Sequence, residues 1–113
     1  MAFALPVRVD ALRSTSFGSI TNTYVAVGTA FAHRMRVVKM TNNTDGDLLV
    51  SFDGTTDNCF VPKESFTLYD FSSNSESSPS PFSFQIGTQT YVKYSTAPTA
   101  GAFYIECVYG KGE

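Results

Sequence analysis

Short runs of alternating polar and apolar residues, each closed by Gly, Pro, Asn or Asp, fill this sequence, and no window of about 11 residues or more carries helical periodicity. That pattern predicts strands over 7–13, 22–28, 34–41, 48–53, 59–61, 65–71, 82–86, 89–95 and 102–109. In 22–28, Tyr24, Ala26 and Gly28 share one face and Val25 and Val27 the other. In 34–41 the alternation slips between Val37 and Val38, which predicts a bulge or a strand buried on both sides. Leu48, Val50 and Phe52 point inward, with Leu49, Ser51 and Asp53 outward. Asn42 to Asp47 is read as a turn, with Asp45-Gly46 as a hairpin signal because Gly accepts positive φ. A second hairpin is expected around Gly87-Thr88, and Pro62 ends the strand before it because it donates to no ladder. Residues 72–81 (Ser-Ser-Asn-Ser-Glu-Ser-Ser-Pro-Ser-Pro) cannot pack a core and are expected to form an exposed loop.

Eight or nine short strands at about ten-residue spacing fit an all-β antiparallel β-sandwich. About eight strands suit a jelly roll, and an immunoglobulin-like sandwich is disfavoured because there is no Trp. With 113 residues the chain fits one domain, carrying an N-terminal arm over 1–7.

Composition mostly excludes functions. Eight basic and ten acidic residues give a net charge of −2, against direct nucleic-acid binding through phosphate contacts. The one basic cluster is Arg34, Arg36 and Lys39, either a solvated strand face or a contact patch for an acidic partner. No apolar run approaches the length of a membrane helix, and the first residues lack the pattern of a signal peptide, so no membrane role is expected. Folding in the cytosol of the producing cell follows, with Cys59 and Cys107 as reduced, buried thiols.

Chemistry is sparse. His33 is the only histidine and has no acidic neighbour in sequence, so it is read as a surface or strand-edge residue. A calcium loop beginning at Asp53 fails because Asn58 stands where an EF-hand needs Gly. Asp45, Asp47, Asp53 and Asp57 are read as turn residues. No metal, cofactor or catalytic residue is assigned, and an enzyme is not expected.

The aromatic residues say more. In the last strand one register puts Phe103, Ile105 and Cys107 inward and Tyr104, Glu106 and Val108 outward, and the inverse stays open. Either way one apolar set faces away from the core, and the same holds for Leu49 and for Tyr69 and Phe71 beside Phe66 and Leu68. Outward aromatics serve interfaces because they supply contact area at low entropy cost. Phe3, Leu5 and Val7 alternate with small residues ahead of the first strand, as an arm that caps its own sheet or joins a neighbour's. The candidate interface is therefore Phe3, Leu5, Val7, Arg34, Arg36, Tyr69, Tyr91 and Tyr104.

Four fragments run in order: Val37 to Asp45, Val50 to Asp57, Phe60-Val61-Pro62 and Phe66 to Asp70. Gly87 to Tyr94, Ala97 to Gly101 and the final Tyr109-Gly110 follow. Together they resemble small virion proteins of tailed bacteriophages over roughly residues 37–110. In size and β content the chain is similar to the jelly-roll decoration (cement or staple) proteins on capsids of epsilon-fifteen-type short-tailed phages. The resemblance implies a structural virion protein that stabilises the capsid surface by bridging major capsid protein subunits, as a homo-dimer or higher homo-oligomer. It carries no catalytic residues, and it leaves a neck or tail position as the alternative. A carbohydrate-binding module built on exposed Tyr and on Asp/Asn turns is the rival from another class.

Overall fold

Two ten-residue strands dominate the computed structural model, which describes residues 6–71 and 83–111. They are β4 (Met35–Thr44) and β9 (Gly101–Gly110), and they lie side by side in antiparallel register from Met35↔Tyr109 to Thr44↔Gly101. Around them sit β1 (Val7–Val9), β2 (Arg13–Ser16) and β7 (Ser65–Asp70). The sheet order is β1-β9-β4-β7, with β2 following β1 along the same edge of β9. The second sheet is β3 (Val25–Ala26), β8 (Tyr91–Tyr94), β5 (Leu48–Ser51) and β6 (Cys59–Val61), in the order β3-β8-β5-β6.

Every pairing among these strands is antiparallel. Only β5 and β6 are consecutive hairpin neighbours; the other links after β2 cross from one sheet to the other. The orders β2-β9-β4-β7 and β3-β8-β5-β6 are those of a jelly roll, so the expected architecture holds. Leu48, Val50, Val61 and Val92 from one sheet meet Val38, Met40, Phe103, Ile105 and Cys107 from the other, all fully buried. The first of the two registers for the last strand is the observed one. Aromatic rings fill the end near Met35, where Phe84 sits 5.1 Å from Phe52, 5.7 Å from Tyr69 and 6.0 Å from Phe31.

Four local expectations are corrected. Residues 7–13 are not one strand: the chain breaks at 10–12 and both pieces pair with β9. Asn42 to Thr44 belong to β4, and Asp45-Gly46 is no hairpin but a crossing from β4 to β5 in the other sheet. Gly46 has no positive φ; it is there because a Cβ would lie 2.2 Å from the Thr96 carbonyl. Gly87 does have positive φ, yet Phe84 bridges to Met35 and β8 pairs with β3 and β5, so no hairpin forms there. The bulge in β4 lies between Met35 and Val37, just before the slip in the alternation. The arm residues 1–5 and the Ser/Pro stretch 72–81 lie outside the described residues.

Asn42 ties the two sheets at one end. Its buried amide nitrogen donates to the carbonyls of Gly46, Val61 and Pro62, and its oxygen accepts from the Thr44 amide and hydroxyl. Three of those partners lie beyond its own strand, in the crossing loop, on β6 and just after it.

Candidate functional site

The register of the five-stranded sheet fixes its outer face. Odd residues of β9 point into the core, so Tyr104, Glu106 and Val108 point away from it. Their cross-strand partners share that face and form three rows. The first runs Phe66, Thr41, Tyr104, Ser14; the second Leu68, Lys39, Glu106; the third Asp70, Val37, Val108, Val9. Val7 pairs with Gly110 and extends the face at one corner.

This face is largely apolar and open. Val9 is 76% exposed, Val7 69%, Phe66 58%, Leu12 58% and Leu68 48%. In β7 the usual arrangement is inverted, because small Ser65 and Thr67 point inward with Tyr69 while Phe66 and Leu68 point out. Lys39 is the cation of the face, its Nζ 4.8 Å from the centre of the Phe66 ring.

The break between β1 and β2 makes a depression of about 350 Å³ beside this surface, lined by Val9, Asp10, Leu12, Thr41, Tyr104 and Glu106. Arg13 holds the break in place. Its guanidinium donates to the Thr29 carbonyl at 3.0 Å and to the Asp10 carboxylate at 2.8 Å, and lies 5.1 Å from the centre of the Phe31 ring. Gly28 leaves room for the Arg13 stem, since a Cβ there would be 2.7 Å from Cγ. Burial pushes the Asp10 carboxyl up, but the bond and charge of Arg13 and the backbone bond at Ala11 together outweigh this and hold it below the usual carboxylate range.

The opposite sheet has a smaller outer surface. Leu49 pairs with Phe60 on one side and Lys93 on the other, and Phe60 is 51% exposed. Lys93 lies 4.6 Å from the centre of the Tyr24 ring and 3.3 Å from the Asp57 carboxylate, which also accepts from the Tyr24 hydroxyl. Burial first, then Asp57, raises the Tyr24 hydroxyl above the ordinary tyrosine value.

The sequence-derived interface residues do not form one patch. Val7 and Tyr104 share the outer face of the five-stranded sheet. Tyr91 lies on the outer face of the other sheet, paired with Ala26 and Ser51. Tyr69 is on the inward-facing set of β7, among Phe52 and Phe84. Arg34 precedes β4 in an exposed loop, and Arg36 is half-buried at the bulge. Phe3 and Leu5 lie outside the described residues. Sequence reasoning missed Val9, Leu12, Phe66 and Leu68 as the main exposed apolar set. The available signal was β7 itself, where the bulky set alternates with Ser and Thr instead of with apolar residues.

The acidic turn residues serve the loops. Asp53 accepts the Thr55 and Thr56 amides at 2.8 and 2.7 Å, and those bonds push its carboxyl far below the usual range. Asp45 is bound by the Thr99 hydroxyl and amide, which lower its pKa. His33 stacks flat on Tyr109 with ring centres 3.8 Å apart. Cys59 and Cys107 are both free thiols, Cys107 buried and pushed up to about 11 by that burial, Cys59 half-buried.

No protein-family model and no curated protein sequence matches the chain. Two solved structures do match over nearly its whole length. One is a chain of Bacillus endospore appendages, described as a family of disulfide-linked pili, with 11% identity, a TM-score of 0.49, and coverage of 97% of this chain and 93% of that one. The other is the Dit protein of SPP1, described as a paradigm of the hub adsorption apparatus in phages infecting Gram-positive bacteria. It has 13% identity, a TM-score of 0.43, and coverage of 92% of this chain and 49% of that one, so this chain spans about half its length.

Proposed function

We propose that this protein is a structural component of a phage virion that sits on the capsid surface and bridges major capsid protein subunits. The observation that carries the reading is that the outer face of the five-stranded sheet exposes Val9, Leu12, Phe66 and Leu68, while the opposite sheet presents Phe60 paired with Leu49. Scattered single apolar residues are ordinary, whereas a contiguous patch marks an interaction site. A module with two opposed contact faces can join two neighbours, and a second contact made after the first is effectively intramolecular. The fragment resemblance over residues 37–110 supports the virion setting.

The glycan-binding alternative loses its platform. Tyr104 points out of one sheet, Tyr91 out of the other, and Tyr94 pairs with buried Leu48 against the core. A ring platform for a sugar needs its aromatics on one side.

The test is co-sedimentation of the purified protein with shells assembled from the major capsid protein. Saturable binding, with a higher melting temperature of the loaded shell, is the expected result. Absence of binding, together with unchanged heat resistance of virions lacking the protein, overturns the reading. Copy number then separates positions: hundreds of copies per particle for decoration, a dozen or fewer for a neck or tail ring.

A further inference from the structure

We propose that the outer face of the five-stranded sheet pairs with the same face of a second copy, about a two-fold axis running along the strands between β4 and β9. This rests on the reading above only in taking that face as a contact surface; it makes the neighbour on that face a second copy, so that bridging falls to the two outward four-stranded sheets of the dimer.

The argument is self-complementarity. A two-fold interface uses one patch twice, so residue i must suit residue j while j suits i. Rotation about the stated axis keeps each row at its own height and exchanges β4 with β9. Lys39 and Glu106 are direct cross-strand neighbours in the middle row. The rotation sets Lys39 of one copy over Glu106 of the other, and Glu106 over Lys39, giving two opposite-charge contacts at the centre.

The flanks match in shape. On the same row, β7 of one copy comes over the β1–β2 edge of the other. Exposed Leu68 is then carried to the break at 10–12, where Val9, Leu12 and Tyr104 line the depression of about 350 Å³ together with Asp10, Thr41 and Glu106. Phe66, one row away, meets the rim near Ser14 and Tyr104. A protruding apolar pair and a hollow with Val9, Leu12 and Tyr104 in its wall therefore lie on opposite sides of the axis, as a two-fold contact requires.

The size is adequate. Ten-residue strands run about 33 Å, and four strands span about 19 Å, so the face offers roughly 600 Å² in projection. A standard interface buries on the order of 800 Å² of accessible surface per partner, and accessible area exceeds projected area. Stacked twisted sheets cross at about 30°, which leaves the central row best aligned.

The experiment is sedimentation equilibrium on the full chain and three variants, with circular dichroism melts confirming that each is folded. Wild type is expected to be a dimer at micromolar concentration. Leu68→Asp is expected to be a folded monomer, as are Lys39→Glu and Glu106→Lys, each of which sets like charges face to face. Mixing Lys39→Glu with Glu106→Lys is expected to restore dimers, because each copy then meets its opposite. A role for Lys39 and Glu106 confined to their own chain predicts no recovery on mixing. A monomeric wild type, dimers that ignore the charge reversals, or a mixture that stays monomeric each overturns the proposal. The shell-binding assay separates the two claims: a monomer that binds shells sinks this inference alone, and a dimer that ignores shells sinks the bridging reading alone.

Discussion

Asn42 shows how much a single polar side chain can fix. It is wholly buried and saturated, with its amide nitrogen shared among three carbonyls and its oxygen taken by Thr44. Replacing Asn42 with Ala removes all five of these bonds; the Thr44 and Ser65 hydroxyls still reach the Gly46 and Pro62 carbonyls, but the Val61 carbonyl and the Thr44 amide lose their Asn42 partner, a loss of about 1–3 kcal/mol, measurable as a lower urea midpoint at unchanged slope. Glu64 runs the other way. It is exposed and holds a left-handed φ of 54°, a conformation that suits Gly and strains a residue with a Cβ. Glu64→Gly is expected to stabilise the protein by about 0.5–1 kcal/mol, visible as a higher melting temperature, and an unchanged or lower one refutes the strain. Neither role was legible in the sequence. Asn42 read as a turn residue because Asn-Asn-Thr-Asp-Gly is dense in turn formers, and only the long partner β9 reveals that the strand continues to Thr44. By contrast the two alternating sets of the last strand were readable, and it is the structure that turns Phe103, Ile105 and Cys107 inward.

At the scale of elements, strands were easier to see than their partners. Alternation and turn residues mark where a strand begins and ends, and they placed β5, β6, β7 and β9 within a residue or two. Pairing depends on crossings between sheets, which no local pattern encodes, so two turn signals were mistaken for hairpins. The exposed face was hidden for the same reason: Phe66 and Leu68 become outward only once β7 is laid beside β4 in register. Carboxylates hold the loops: Asp45 in the crossing from β4 to β5, Asp53 and Asp57 in the hairpin loop between β5 and β6. Asp45 takes the Thr99 hydroxyl and amide, Asp53 the Thr56 and Thr55 amides, and Asp57 the Tyr24 hydroxyl and then Lys93, and each is held below its ordinary pKa in the folded state. The unfolded chain therefore binds more protons than the folded one at acid pH. The stability these groups supply is complete above the unfolded carboxylate value of about 4 and is lost as pH falls through the lower folded values. Urea midpoints are expected to be flat from pH 7 to about pH 5 and to drop below pH 4, with Asp45→Asn reducing that drop. A midpoint independent of pH down to about 2.5 contradicts the loop-holding role.

For the whole molecule, non-local pairing governs kinetics. The extreme strands in chain order, β1 and β9, are neighbours, and β2 pairs with the same strand across some ninety positions of sequence. Folds dominated by such distant pairings fold on the millisecond-to-second scale, so stopped-flow refolding of this protein is expected in that range, and a microsecond phase carrying the full signal change would contradict it. The net charge of −2 is small for such a surface, and the sequence pI of about 5.2 puts minimum solubility near pH 5.

The central position of β9 has a bearing on how the protein is born. It comes after every other strand, yet it occupies the middle of its sheet between β4 and the β1–β2 edge. β8, a middle strand of the other sheet, precedes it by only six residues, so both sheets receive an interior strand late, and β1 and β2 wait without a partner until then. A chain cut before Gly101 lacks the keystone of one sheet: β1 and β2 have no strand to pair with, and β4 keeps only β7.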